Sequence, residues 1–180
     1  MKIIKTKTAG LVLVQPDVFT DERGYFFESY QKEKFRELGI SADFVQDNES
    51  MSMKGVLRGL HFQVPPFAQG KLVRVVRGSV LDVAVDLRKN SGTYGKWESV
   101  LLSAENKLML YIPEGFAHGF LVLEDYTIFQ YKCTNYYHRE SERGIIWNDP
   151  DLKIDWGIEN PLVSDKDLKG VFFRNYVSPF

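Results

Sequence analysis

The stretch Val80-Leu81-Asp82-Val83-Ala84-Val85-Asp86-Leu87-Arg88 alternates with a period of two. Successive side chains of a strand point to opposite faces, so Leu81, Val83, Val85 and Leu87 share one face and Asp82, Ala84 and Asp86 the other. A helix would scatter both sets around its axis. Outward from this segment, strand patterns recur at Lys71 to Arg77, Trp97 to Leu102, Leu108 to Ile112, Phe120 to Leu123 and Thr127 to Thr134. Gly, Pro, Asn and Asp signals separate them. The one helical pattern runs from about Tyr30 to Leu38, with Tyr30, Phe35 and Leu38 on an apolar face and Gly39 as the stop. Many short strands beside a single helix imply an all-β fold, a closed or sandwiched antiparallel barrel.

At 180 residues the chain fits one domain, 1–180, and its 44% hydrophobic content suffices for a single core. A net charge of -1 gives no long-range pull toward nucleic acid or an anionic membrane, so an anionic ligand must be held by a few local cations. Lys2, Lys5 and Lys7 interrupt the N-terminus before a signal-peptide apolar region can form, and no apolar run approaches a membrane span. The lone Cys133 cannot form an internal disulfide, and the chain reads as cytoplasmic. No Gly-x-Gly-x-x-Gly or Walker loop, Gly-x-Ser-x-Gly elbow or Cys-x-x-Cys pair occurs, which removes support from redox-cofactor and serine-hydrolase readings.

Only three histidines occur, His61, His118 and His138. His61 lies in Gly55-Val56-Leu57-Arg58-Gly59-Leu60-His61-Phe62-Gln63, where strict alternation puts Arg58 and His61 on opposite faces. Gly59 is placed to host a bulge that re-aims one of them, the kind of bend found beside active sites. The competing reading is a core histidine with its hydrogen bond satisfied. His118 ends a Pro-x-Gly-x-x-His spacing, one half of a cupin signature that is also compatible with a plain turn into a strand. In metal cupins that histidine completes a site begun by a His-x-His pair. Here the pair would be His61 and Gln63, and an amide in place of an imidazole makes a poor transition-metal ligand, so no metal is expected. Tyr131 shares a strand face with Thr127, Phe129 and Cys133, and by spacing alone is a packing residue with a polar tip. Lys71 opens a mostly apolar strand, where an inward ammonium is costly unless it faces an anion or a polar cavity. Arg23, in Thr20-Asp21-Glu22-Arg23-Gly24, reads as a solvated turn charge.

Taken in order, these residues resemble the dTDP-4-dehydrorhamnose 3,5-epimerase family over essentially the whole chain. The resemblance is carried by Asp21-Glu22-Arg23-Gly24, Phe26-Phe27-Glu28, Phe44-Val45-Gln46-Asp47-Asn48 and Gly55 to Gln63. It continues through Gln69-Gly70-Lys71, Asp82 to Arg88, Ile112 to Phe120, Tyr131 and Leu162 to Asp167. It implies a homodimeric cupin-type double-stranded β-helix, a jelly-roll barrel with short peripheral helices. It implies binding of a dTDP-4-keto-6-deoxy sugar and inversion at C3 and C5, without metal or cofactor. By the same resemblance His61 is the base, Asp167 its carboxylate partner, Tyr131 the proton donor from the opposite side and Lys71 the cation beside the C4 oxygen. Arg23, Glu28, Gln46, Asn48, Arg58 and His118 match ligand-contact positions, and Glu142 and Lys166 fall at approximately matching ones. Phe62 stands where many members have Tyr.

These residue types suit the reaction. A proton next to a ketone becomes removable when a fixed cation stabilises the developing enolate, and an imidazole held by a carboxylate is a base matched to neutral pH. Inversion then needs a second group to return the proton from the other face. The alternatives are an enzyme that inverts one position only or isomerises the ketone, a non-catalytic sugar-binding jelly roll, and a metal cupin.

Overall fold

A computed structural model describes residues 1–180. The strands are β1 (Lys2–Ile4), β2 (Val12–Gln15), β3 (Phe19–Asp21), β4 (Gly24–Phe26), β5 (Gln46–Ser52), β6 (Leu57–Gln63) and β7 (Lys71–Arg77). They continue with β8 (Ser79–Asp86), β9 (Trp97–Ser103), β10 (Met109–Ile112), β11 (Phe116–Val122), β12 (Thr127–Cys133) and β13 (Glu142–Gly144). One sheet has the order β1-β2-β10-β7-β12-β5 and the other β13-β6-β11-β8-β9, while β3 and β4 form a separate hairpin. The pairings within both sheets are antiparallel.

The two sheets face each other across a shared apolar interior. Val73, Val75 and Phe129 from the six-stranded sheet meet Val80, Ala84 and Phe120 from the five-stranded one. Phe120 and Phe129 stack with ring centroids 4.1 Å apart, bridging the sheets. Both outer faces are covered as well. Leu57, Val83 and Val85 pack against Ile145, Leu152 and Trp156 of the C-terminal segment, and Phe35 and Ile40 cover Val14, Leu72 and Met109. This is the closed antiparallel barrel implied by the strand pattern, in the cupin-type jelly-roll form implied by the family resemblance.

The alternating segment behaves as read, with both of its faces inside. Val83 and Val85 meet the C-terminal cover, whereas Asp82 and Ala84 turn into the barrel. The strand ends at Asp86, earlier than the pattern suggests, because Arg88 folds back. Its N–H and Nε donate to Asp86 Oδ1, each at 2.9 Å, taking the backbone off the ladder. Strand β11 begins at Phe116 rather than Phe120, so His118 lies within a central strand. The helix α1 is shorter than expected, Lys32–Glu37, capped by Gln31 Oε1 accepting from the Lys34 N–H at 2.6 Å. Gly39 follows it at φ +82°, the left-handed stop that its sequence position implied.

Candidate active site

Strand β6 places His61. Opposite it on β11, His118 pairs with His61 and Phe120 with Arg58, so three steps of β6 span two of β11. That is a bulge, and it brings Arg58 and His61, which strict alternation separates, onto one cavity. Gly59 makes it sterically feasible. Its φ is +132°, and a Cβ there would lie 2.5 Å from Gly119 Cα and 2.9 Å from the His118 carbonyl oxygen. The re-aiming expected at Gly59 is therefore present.

Asp167 arrives from the C-terminal segment, which is pinned on either side by parallel bridges from Val56 to Leu162 and from Ile145 to Val171. His61 Nε2 and Asp167 Oδ1 are 2.5 Å apart, and Asp167 Oδ2 accepts from the Gly59 N–H at 3.4 Å. The Asp167 side chain is 4% exposed against 29% for His61, so the pair presents the imidazole to solvent and keeps the carboxylate behind it. Burial opposes ionisation of Asp167. The hydrogen bond and charge of His61, with smaller help from the Gly59 N–H and Ser164, outweigh it and hold the carboxyl below its usual range.

The opposite wall comes from the other sheet. Tyr131 on β12 and Lys71 at the start of β7 line the same cavity, of about 390 Å³, as His61, Arg58 and His118. Lys71 Nζ lies 5.8 Å from the Tyr131 ring centroid. Burial pushes the Lys71 ammonium below its ordinary value, against the pull of Cys133, Asp82 and Glu142, and pushes the Tyr131 phenol up. At the floor His118 Nε2 is 2.9 Å from Asp82 Oδ2, and both side chains are buried. Burial, opposed by Asp82 and assisted by Lys71 and His61, lowers the affinity of His118 for a second proton. Arg58 is steadied by Ser52 Oγ, which accepts from its Nε at 3.2 Å and Nη2 at 3.1 Å.

A second compartment, of about 280 Å³, shares His61, Lys71 and Tyr131 with the first and adds Gln46, Asn48 and Glu142. Gln46 Nε2 donates to Asn48 Oδ1 at 3.0 Å. Glu142 is ion-paired with Lys166 and accepts from the Tyr137 hydroxyl at 2.8 Å. Arg23 and Glu28 do not line either compartment. Arg23 sits on the β3–β4 turn, 85% exposed and paired with Asp21, and Glu28 is paired with Lys34. Sequence reasoning missed Asp82, Ser52 and Tyr137 as parts of the site. Asp82 was visible as a carboxylate in an apolar strand, whereas nothing local marked Ser52 or Tyr137.

These features define a cupin-type jelly roll whose cavity sets a carboxylate-held imidazole against a phenol and an ammonium. The family model described as dTDP-4-dehydrorhamnose 3,5-epimerase matches residues 5–175. A dTDP-4-dehydrorhamnose 3,5-epimerase of Shigella flexneri is 56% identical over 174 residues, covering 96% of each chain. A dTDP-6-deoxy-D-glucose-3,5-epimerase of Legionella pneumophila, solved with dTDP-4-keto-L-rhamnose, superposes with a TM-score of 0.92 at 50% identity, covering 97% of this chain and 93% of that one. More distant is a 3'-monoepimerase of Streptomyces bikiniensis, at TM-score 0.88, 34% identity and coverage of 94% and 86%. The chain belongs to the dTDP-4-dehydrorhamnose 3,5-epimerase family.

Proposed function

We propose that the protein is a dTDP-4-dehydrorhamnose 3,5-epimerase acting on dTDP-4-keto-6-deoxy-D-glucose and yielding dTDP-4-keto-L-rhamnose. The observation that carries this reading is the opposition of His61, on one sheet, to Tyr131, on the other, across one cavity that also holds Lys71. In the proposed reaction His61, held by Asp167, removes the proton from a carbon next to the C4 ketone. The electron pair moves onto the C4 oxygen, where Lys71 stabilises the enolate. Tyr131 then gives its proton to the carbon from the opposite face, inverting it, and solvent restores both groups. The sequence of steps serves C5 and C3 because both flank the same ketone, and it is complete in atoms and electrons without metal or redox cofactor.

Arg58, His118, Gln46, Asn48, Glu142 and Lys166 are the substrate-binding set on this reading. Arg23 and Glu28 join it from a second copy in a homodimer. The support for that arrangement is the hairpin, whose Phe19 and Phe26 are 64% and 66% exposed and whose turn leaves Arg23 exposed and outside the lining of its own chain's cavity. Exposed aromatics of this size suit an interface. No helix is long and apolar enough to cross a membrane. The nucleotide-sugar substrate and the buried thiol of Cys133 support a cytoplasmic setting.

Inversion at one carbon only is the second reading, favoured by the likeness to the S. bikiniensis monoepimerase. That likeness is weaker than the likeness to the 3,5-epimerases. A solved double mutant of the monoepimerase replaces a histidine and a tyrosine separated by as many residues as His61 and Tyr131, which supports the assigned pair. The test is product analysis by NMR after incubation with dTDP-4-keto-6-deoxy-D-glucose in the presence of chelator. Inversion at both C3 and C5 is expected. An unchanged substrate, or activity restored only by an added metal, overturns the proposal.

A further inference from the structure

Gln63 follows His61 by two residues, where a metal-binding cupin pair has its second histidine, and the proposed reaction gives it no role. Its side chain is nevertheless buried, at 4% exposure, and fully engaged. Nε2 donates to the carbonyl oxygens of Phe67 at 2.6 Å and Tyr136 at 3.2 Å, and Oε1 accepts from the His138 N–H at 2.7 Å. Both amide hydrogens and the carbonyl are thereby used. The last two contacts grip the chain immediately before and after Tyr137.

Tyr137 in turn ties the mouth of the second compartment together. Its N–H donates to Gln46 Oε1 at 3.1 Å and its hydroxyl donates to Glu142 Oε2 at 2.8 Å. The surrounding contacts fix the same loop from the same side. Gln69 Nε2 donates to the Asn135 carbonyl at 2.6 Å, and the Phe67 ring stacks on His138 at 3.8 Å and 7°. Removing the Gln63 amide would strand three main-chain groups at once, which is costly enough to displace the loop.

We propose that Gln63 is a positioning residue: by clamping the peptide groups on both sides of Tyr137 it sets Tyr137, Gln46 and Glu142 at the mouth of the cavity that takes the substrate. The position that completes a metal shell in other cupins is used here as a backbone clamp. The inference rests on the epimerase reading for its substrate. It assigns Gln63 to binding rather than to proton transfer, because its contacts touch neither Asp167 nor Tyr131.

A double-mutant cycle with Gln63→Met and Tyr137→Ala tests it. Gln63→Met is expected to raise KM about tenfold with kcat changed less than about threefold, as the loss of a buried hydrogen-bond set implies. In the Tyr137→Ala background, which loses the hydroxyl contact to Glu142 but keeps the main-chain N–H to Gln46, the same change should raise KM by less than it does in wild type. Full additivity, or a fall in kcat at unchanged KM, overturns the proposal. Titration of dTDP by calorimetry repeats the cycle without turnover, so a protein that binds dTDP but does not epimerise fails the functional reading while still testing Gln63. Amide exchange across Asn135–His138 reads the clamp independently of any ligand. It should accelerate at least tenfold in Gln63→Met, and unchanged exchange overturns the proposal. If Gln63→Met does not fold, Gln63→Glu, which keeps the acceptor for His138, carries the same measurements.

Discussion

Exchanging the Asp167 carboxylate for an amide keeps the shape of the site and removes the negative charge held 2.5 Å from His61 Nε2. Asp167→Asn is therefore expected to lower kcat by about 10²-fold or more, within the usual range for acid–base groups, with little change in dTDP affinity. His61→Ala should abolish proton exchange while dTDP still binds, whereas Arg23→Ala should weaken binding first. Isotope exchange and calorimetry on the same preparations separate the two kinds of loss. Near wild-type exchange in His61→Ala would require a different base. Lys71 yields a pH prediction. In the proposed reaction its ammonium is the active form, and burial lowers its pKa, so activity should be lost as pH rises, with a midpoint below the ordinary lysine value of 10.5. Lys71→Arg should move that alkaline limb upward, since guanidinium stays charged. A limb that stays put assigns the titration elsewhere. At this scale the sequence was informative about types and silent about partners. His61, Lys71 and Tyr131 each had an ordinary packing or surface reading by spacing, and only the ordered family resemblance singled them out. The Asp82–His118 contact joins residues 36 positions apart and has no local signature.

Among the elements, β6 is where sequence and structure meet most directly. A glycine between Arg58 and His61 was enough to anticipate the bulge, because only a break in alternation lets both face one cavity. Gly59→Ala should cost about 2–5 kcal/mol from the unfavourable φ together with overpacking against Gly119, and should lower activity even in the molecules that fold. Thermal melting beside kcat checks both, and a variant as stable as wild type would contradict the steric account. Strand β5 was not legible in the sequence. Gln46 to Ser52 is polar on both faces because its inward residues Gln46, Asn48 and Ser50 line cavities, so hydrophobic alternation, the usual strand signal, is absent. The end of β8 failed for the converse reason: the pattern continues while the Arg88–Asp86 contact ends the ladder. That contact predicts an acid-labile element. Burial raises the Asp86 pKa, but hydrogen bonds from Arg88, Ser91 and Thr93 outweigh it and bring the value to about 2. Its stabilisation is present above the ordinary value of 3.8 and is lost as pH falls through about 2. Melting temperature should drop less steeply over that interval in Asp86→Asn than in wild type, and equal slopes would assign the acid sensitivity to other carboxylates.

For the molecule as a whole, the strand pattern sufficed for the all-β barrel, because a face buried between two sheets leaves its period in the sequence. It did not show which residues meet across the barrel. Nor does a single chain bring Arg23 and Glu28 to the cavity, and the proposed homodimer makes this testable. Arg23→Ala and His61→Ala, each impaired alone, should recover activity on subunit mixing, because a mixed dimer contains one site with neither defect. Light scattering gives the oligomeric state, and a monomer, or mixing without recovery, would contradict the shared site. The central claim is that two groups on opposing sheets handle the proton from opposite faces. Its most direct measurement is incubation of Tyr131→Phe with dTDP-4-keto-6-deoxy-D-glucose in heavy water, reading deuterium at C3 and C5 and product stereochemistry in one sample. With the phenol gone and His61 intact, deuterium should enter without net inversion, and inverted product at the wild-type rate would contradict the claim.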